Sequence, residues 1–220
     1  SITELETVSI KKFFPKAKVF AIPNPVPIEE QIFSNIEYKK RFVFFGRIHP
    51  IKNIHLIIQA FIKSNLSNDW NLEIYGIPDD FQYFEKLKKL ASSNDNIFFK
   101  DPVFGKNKIE ILKSSWCNIL LSDSEVLSLS VLESASLKLP SLVNEEIQIS
   151  EYAKNEGVIT SLDVDMISNK INEISLWSRS LREKKGELLK NFIDNYYGAE
   201  NISRKYLPLY KPTEKSRDCY

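Results

Sequence analysis

The chain of 220 residues sets 30 lysines and arginines against 29 aspartates and glutamates, a net charge of +1, so no global field recruits nucleic acid. Its 43% hydrophobic and 12% aromatic content is ample for the core of one large domain, or of one domain with appendages. No stretch approaches the ~20 apolar residues that span a bilayer, and the first residues carry neither a cationic nor an apolar leader region.

Residues 3–14 read as a helix, with Leu5, Val8, Ile10 and Phe13 as its apolar positions, and residues 18–22 read as a strand. Pro23-Asn-Pro-Val-Pro27 then removes backbone donors and restricts its neighbours. Mostly polar residues continue to Lys40, so a domain boundary falls between 23 and 40. Phe42-Val-Phe-Phe45 is a continuous apolar strand, ended by Gly46-Arg-Ile-His-Pro50. A helix follows at 52–63, with Ile54, Ile57, Ile58 and Phe61 on one face. Strands at 70–75, 96–99, 117–121, 141–143 and 157–160 alternate with helices at 81–93, 106–115, 130–137, 149–154 and 164–174. Such alternation predicts α/β architecture, a doubly wound parallel sheet wrapped by helices on both faces. Residues 176–206 read as helix in two or more pieces. Cys117 lies in a buried strand and Cys219 in the tail, a usage that points to a reducing compartment and a cytoplasmic protein rather than to a disulfide.

Ligands of parallel sheets bind outside the carboxyl ends of the strands, which directs attention to two segments. Arg47 directly follows a strand and Lys52 opens the next helix. A guanidinium gives phosphate planar paired donors, and an ammonium gives a compact charge. Together they suit a diphosphate and its departure as a leaving group. Farther on, Glu125 lies in a loop and Glu133 about one turn into the following helix, where carboxylates can accept from a polyhydroxyl ligand. The free N–H groups at that helix start suit phosphate oxygens. Strand-end arginines and surface glutamates are common by chance, so the weight rests on both pairs falling at strand ends of one sheet.

Other signals are weaker. Asp163-Val-Asp165 precedes a predicted helix, where aspartate caps. His49 stands beside Arg47, and His55 sits in a helix. Neither histidines nor cysteines have metal-site spacing. The basic run from Arg179 to Lys190 offers contact with anionic lipid at the inner face of a membrane, but interleaved Glu183 and Glu187 favour a solvated helix face.

Four pieces occur in a characteristic order: Phe44-Phe-Gly-Arg-Ile-His-Pro-Ile-Lys52, Leu72-Glu-Ile-Tyr-Gly76, Asn96-Ile-Phe-Phe99 and Glu125-Val-Leu-Ser-Leu-Ser-Val-Leu-Glu133. This set resembles the C-terminal, donor-binding domain of GT-B glycosyltransferases of the retaining group 1 (family 4) class, over roughly residues 18–210. Ala21-Ile-Pro-Asn-Pro-Val26 is similar to that family's interdomain crossing. The resemblance implies a Rossmann-like domain at 41–175, a helical segment at 176–220, and, at 1–40, the remnant of an N-terminal domain with its linker. It implies that Gly46, Arg47 and Lys52 meet the donor's phosphates and that Glu133 meets the ribose. Glu125 would meet the transferred sugar, and backbone N–H groups at Leu129 and Ser130 the terminal phosphate. The base is expected near Val103 and Phe104. Arg47, Lys52 and Glu125 carry catalysis on this view, without metal or cofactor, on a UDP- or GDP-type sugar donor. The acceptor would be a sugar or lipid-linked hydroxyl in surface polysaccharide or glycolipid assembly. The absent N-terminal domain would complete the enzyme, and the chain alone would transfer little.

The likeness has departures. Val126-Leu-Ser128 replaces an aromatic-glycine pair, with Ser128 still able to cap the helix. Lys138 stands where glycine is usual, and Asn144-Glu-Glu-Ile-Gln148 replaces a glycine-rich loop. Two other readings therefore stay open: a degenerate domain that binds nucleotide or a partner without transfer, and a sugar-nucleotide epimerase of the same fold.

Overall fold

A computed structural model of the chain describes residues 1, 3–26, 36–125, 128–145, 147 and 157–210. Six parallel strands form one sheet: β1 (Arg41–Phe45), β2 (Asn71–Tyr75), β3 (Ile97–Lys100), β4 (Cys117–Leu120), β5 (Ser141–Asn144) and β6 (Val158–Thr160), in the order β3-β2-β1-β4-β5-β6. Every residue of β1, β4 and β5 is buried, because helices cover both faces; this is why those strands read as unbroken rather than alternating apolar runs. The chain winds outward from β1 to β3, then returns to the centre and winds the other way from β4. The order thus reverses between β1 and β4, and a crevice opens at their carboxyl ends.

Between the strands run α2 (Ile54–Ser64), α3 (Phe81–Ala91), α4 (Gly105–Ser114) and α5 (Leu129–Ser136); α1 (Glu4–Phe13) precedes the sheet, and α6 (Val164–Ser175), α7 (Arg179–Tyr197) and α8 (Ala199–Tyr206) follow it. Alternate residues of β1 face opposite ways. Phe42 and Phe44 join the larger core with Ile54, Ile57, Ile58 and Phe61 of α2, while Val43 and Phe45 join a smaller one with Tyr75, Leu112 and Leu139. Thr3 and Asp163 cap α1 and α6 through their side chains. Asp163 accepts from the amides of Asp165 and Met166, both at 3.0 Å, and Asp165 pairs with Lys63. The Asp-x-Asp sequence is a cap.

Lys138 ends α5 with φ of 60°, the left-handed conformation that glycine adopts without penalty. Its carbonyl packs so closely on α7 that a Cβ on Gly186 would lie 2.2 Å from it. The position keeps the glycine geometry although lysine occupies it.

At the amino edge of the sheet, Arg41 donates to Ser115 Oγ (3.0 Å), Glu73 Oε2 (2.9 Å), Ile111 O (2.9 Å) and Ser114 Oγ (2.9 Å). Tyr75 Oη adds a bond to the same Glu73 oxygen at 2.5 Å. The run from Arg179 to Lys190 is not the uniform solvated face expected of it. Arg182 is 1% exposed, lies 4.0 Å from the Tyr38 ring and donates to Ser115 O at 2.8 Å, and burial lowers its pKa. Arg179 and Lys190 pair along the helix with Glu183 and Asp194.

Residues 18–22, expected as a strand, join no sheet among the described residues. Ile22 N–H donates to Ser1 O at 3.0 Å, and an extended segment without a neighbouring strand has no ladder to enter. The helical tail breaks at Gly198, which opens α8. The expected helix at 149–154, residues 27–35 of the linker, Val126, Leu127 and Cys219 lie outside the described residues. Among the described residues, no helix is long and apolar enough to cross a membrane.

Candidate functional site

The crevice is built by cross-ties between loops that follow neighbouring strands. Asp123 N–H donates to Ile51 O at 3.0 Å, Asn53 Nδ2 donates to Asp123 Oδ1 at 2.7 Å, and Ser122 Oγ donates to Ile51 O at 3.2 Å. Asn53 holds a φ of 47°, a region that asparagine tolerates better than most residues. Ser122 and Asn144 exchange two bonds, N–H to Oδ1 at 2.8 Å and Nδ2 to O at 2.9 Å. The loops after β1, β4 and β5 are therefore sewn together side by side. The loop after β2 approaches as closely: a Cβ on Gly76 would stand 1.8 Å from Gly46 O, so only glycine fits there.

Across this frame Lys52 forms an ion pair with Glu125, both side chains mostly covered at 15% and 19% exposure. The two residues come from loops of adjacent central strands, 73 positions apart in sequence. Arg47 is 71% exposed on its side chain and pairs with Asp79 at 2.9 Å. Glu133 pairs with Lys108 of α4. Beside the crevice, a 230 Å³ cavity is lined by Gly46, Arg47, Gly76, Val103, Phe104 and Lys108 among others, over the stacked rings of Phe45 and Tyr75. A second cavity of 220 Å³, between α4 and α5, has Lys108 and Glu133 in its wall.

The residues singled out in the sequence thus fall into three neighbouring groups. Gly46, Arg47, Val103 and Phe104 share one cavity, Lys52 and Glu125 meet in the crevice, and Glu133 belongs to the adjoining cavity. Leu129 and Ser130 open α5, with Leu129 47% exposed. Ser128 holds the N-cap position, but its side chain makes no capping bond; its hydroxyl lies 3.4 Å from that of Ser130. The first amides of α5 are thus not occupied by that side chain. His49 turns inward, its Nδ1 accepting from Ile51 N–H at 3.3 Å. Glu145 is exposed, while Glu146 and Gln148 lie outside the described residues. Among the described residues, no three His, Cys, Asp or Glu side chains gather to hold a metal.

Three polar residues of the site were missed from sequence. Lys108, Asp79 and Asp123 belong to no motif singled out in the sequence, and only tertiary placement gives them partners. A weak signal existed for Asp123, two residues past the strand end and two before Glu125. His55, behind the crevice in α2, lies 3.0 Å from Tyr83 Oη and has its pKa lowered by burial, with Asp123 pulling the other way.

The profile of the family described as glycosyl transferases group 1 matches residues 27–195. The chain belongs to that family. No curated protein sequence matches it. Among solved structures, a mutant of S. aureus TarM in complex with fondaparinux, alpha-GlcNAc-glycerol and UDP superposes with a TM-score of 0.81 at 22% identity, over 96% of this chain and 43% of TarM. WaaG, a glycosyltransferase involved in lipopolysaccharide biosynthesis, gives 0.74 at 14% identity, over 94% of this chain and 61% of its own. Anabaena Alr3699/HepE, in complex with UDP and glucose, gives 0.67 at 12% identity, over 78% and 48%. The fold is the Rossmann-like half of a GT-B glycosyltransferase, and the chain spans less than half of TarM and HepE.

Proposed function

We propose that this glycosyltransferase domain binds a nucleotide-diphosphate sugar in the crevice between β1 and β4, and that the parent enzyme transfers the sugar to an acceptor hydroxyl with retention of configuration. The observation that carries the reading is the meeting of Lys52 and Glu125 across the central strands, beside a cavity edged by Arg47. On this reading the base occupies the cavity walled by Val103 and Phe104, and Glu133 accepts from the ribose hydroxyls. Arg47, Lys52 and the amides of Leu129 and Ser130 hold the diphosphate, and Glu125 accepts from the sugar.

The chemistry follows from charge. The bond from the anomeric carbon to the diphosphate oxygen breaks, and its electron pair leaves with the diphosphate. Preplaced cations and helix N–H groups stabilise that charge as it develops. The acceptor oxygen bonds the same carbon from the face the diphosphate leaves and gives its proton to the departing diphosphate oxygen. The Lys52 ammonium gives one of its three donors to Glu125 and has no second side-chain acceptor among the described residues, so a phosphate oxygen can add to it or take the carboxylate's place. The acceptor site belongs, on this proposal, to an N-terminal GT-B domain outside this chain. A role in surface polysaccharide or glycolipid assembly is in keeping with the involvement of WaaG in lipopolysaccharide biosynthesis.

Calorimetric titration with UDP, GDP and their hexose conjugates tests the donor site. Binding of one nucleotide class is expected, weakened about tenfold or more by Arg47→Ala through loss of a charge-assisted contact. No heat from either class, or affinity indifferent to Arg47→Ala, would overturn the reading.

A further inference from the structure

Lys108 is the residue common to both cavities, and no motif pointed to it. Its ammonium rests 5.6 Å from the centroid of the Phe45 ring, whose negative face attracts a cation. That ring is itself stacked on Tyr75 at 4.7 Å and 5°. From this fixed base Lys108 pairs with Oε2 of Glu133. Oε1 of Glu133 has no partner among the described residues. Glu133 is partly exposed and anchored from one side, with one oxygen committed and one left to accept.

We propose that Lys108, at the junction of the two cavities, is a positioning residue that confers selectivity for ribonucleotides, by holding Glu133 so that its remaining oxygen accepts from a ribose hydroxyl. The inference rests on the donor-site reading above and adds to it. An unanchored glutamate loses rotamer freedom each time it binds, whereas the Lys108 pair has already fixed it. Lys108 also cancels a negative charge beside a polyanionic donor. Its loss therefore has two separable effects: weaker binding of any nucleotide, through charge, and weaker discrimination of ribose from deoxyribose, through orientation. A general structural or charge role moves only the first.

The test compares dissociation constants for UDP, GDP and their 2′-deoxy forms in the 220-residue chain and its variants. The wild type is expected to favour the ribonucleotide about tenfold, the scale of one hydrogen bond to a charged group. Lys108→Met collapses that ratio to within about threefold, Lys108→Arg preserves it, and Arg47→Ala weakens both forms while leaving the ratio intact. Should Lys108→Met fail to fold, Lys108→Gln reads the same ratio. An unchanged ratio on removal of the ammonium, or wild-type binding with no ribose preference, overturns the assignment to Lys108 while the donor site stands. Failure of the wild type to bind any of the four nucleotides overturns both.

Discussion

The two ends of β1 carry charged groups of the same kinds in opposite states. At the amino end, Arg41 is 7% exposed on its side chain and gives bonds to four acceptors on β2, α4 and the turn after α4. At the carboxyl end, Lys52 has the single acceptor Glu125 among the described residues, and Arg47 faces solvent with Asp79. A desolvated guanidinium tied to four acceptors cannot be released without stranding its partners. A singly bonded ammonium can exchange one anion for another. The amino edge is thus held fast, while the carboxyl edge, on the proposed donor-site reading, can trade its partner for a ligand.

The contrast is most sharply broken at the amino edge. Arg41→Met should cost about 3–5 kcal/mol, the usual toll of removing one partner of a buried pair, read as a lower urea midpoint. Next comes Gly76→Ala. Its methyl group would stand 1.8 Å from Gly46 O, so the loops after β1 and β2 must part, at about 1–3 kcal/mol. Because Gly46 and Gly76 both line the cavity, nucleotide affinity should fall with stability, unlike the outcome for a surface alanine.

The smallest effect concerns His55. Its folded pKa lies below the usual 6.5 because burial disfavours the cation. Below pH 6.5 the unfolded chain therefore takes up a proton that the folded chain declines. This contribution is complete above 6.5 and is lost as pH falls toward the folded value. Urea midpoints between about pH 7.5 and pH 5 should fall less in His55→Gln than in the wild type. Equal slopes would show that His55 takes no part.

The sheet was legible because β1, β4 and β5 are buried on both faces and read as continuous apolar runs between glycine and proline punctuation. The order of those strands was not, since it depends on which side each helix returns. Without it, nothing in the sequence could say that Lys52 meets Glu125 while Glu133 meets Lys108. Arg182 misled for a related reason: its neighbours are charged, and only the Tyr38 and Trp116 rings above and beside it explain its burial. Residues 18–22 carried a strand pattern without a partner strand among the described residues to use it. Lys138 shows the opposite, a glycine geometry kept under a different residue.

The exchangeable carboxyl edge is tested most directly by Lys52→Met, measured for UDP and GDP affinity and for unfolding midpoint on the same preparations. The nucleotide that binds the wild type should bind the variant about tenfold or more weakly. The midpoint should meanwhile move far less than in Arg41→Met. Unchanged affinity, or a loss of stability matching that of Arg41→Met, would contradict the claim that this ion pair is held in place for a ligand.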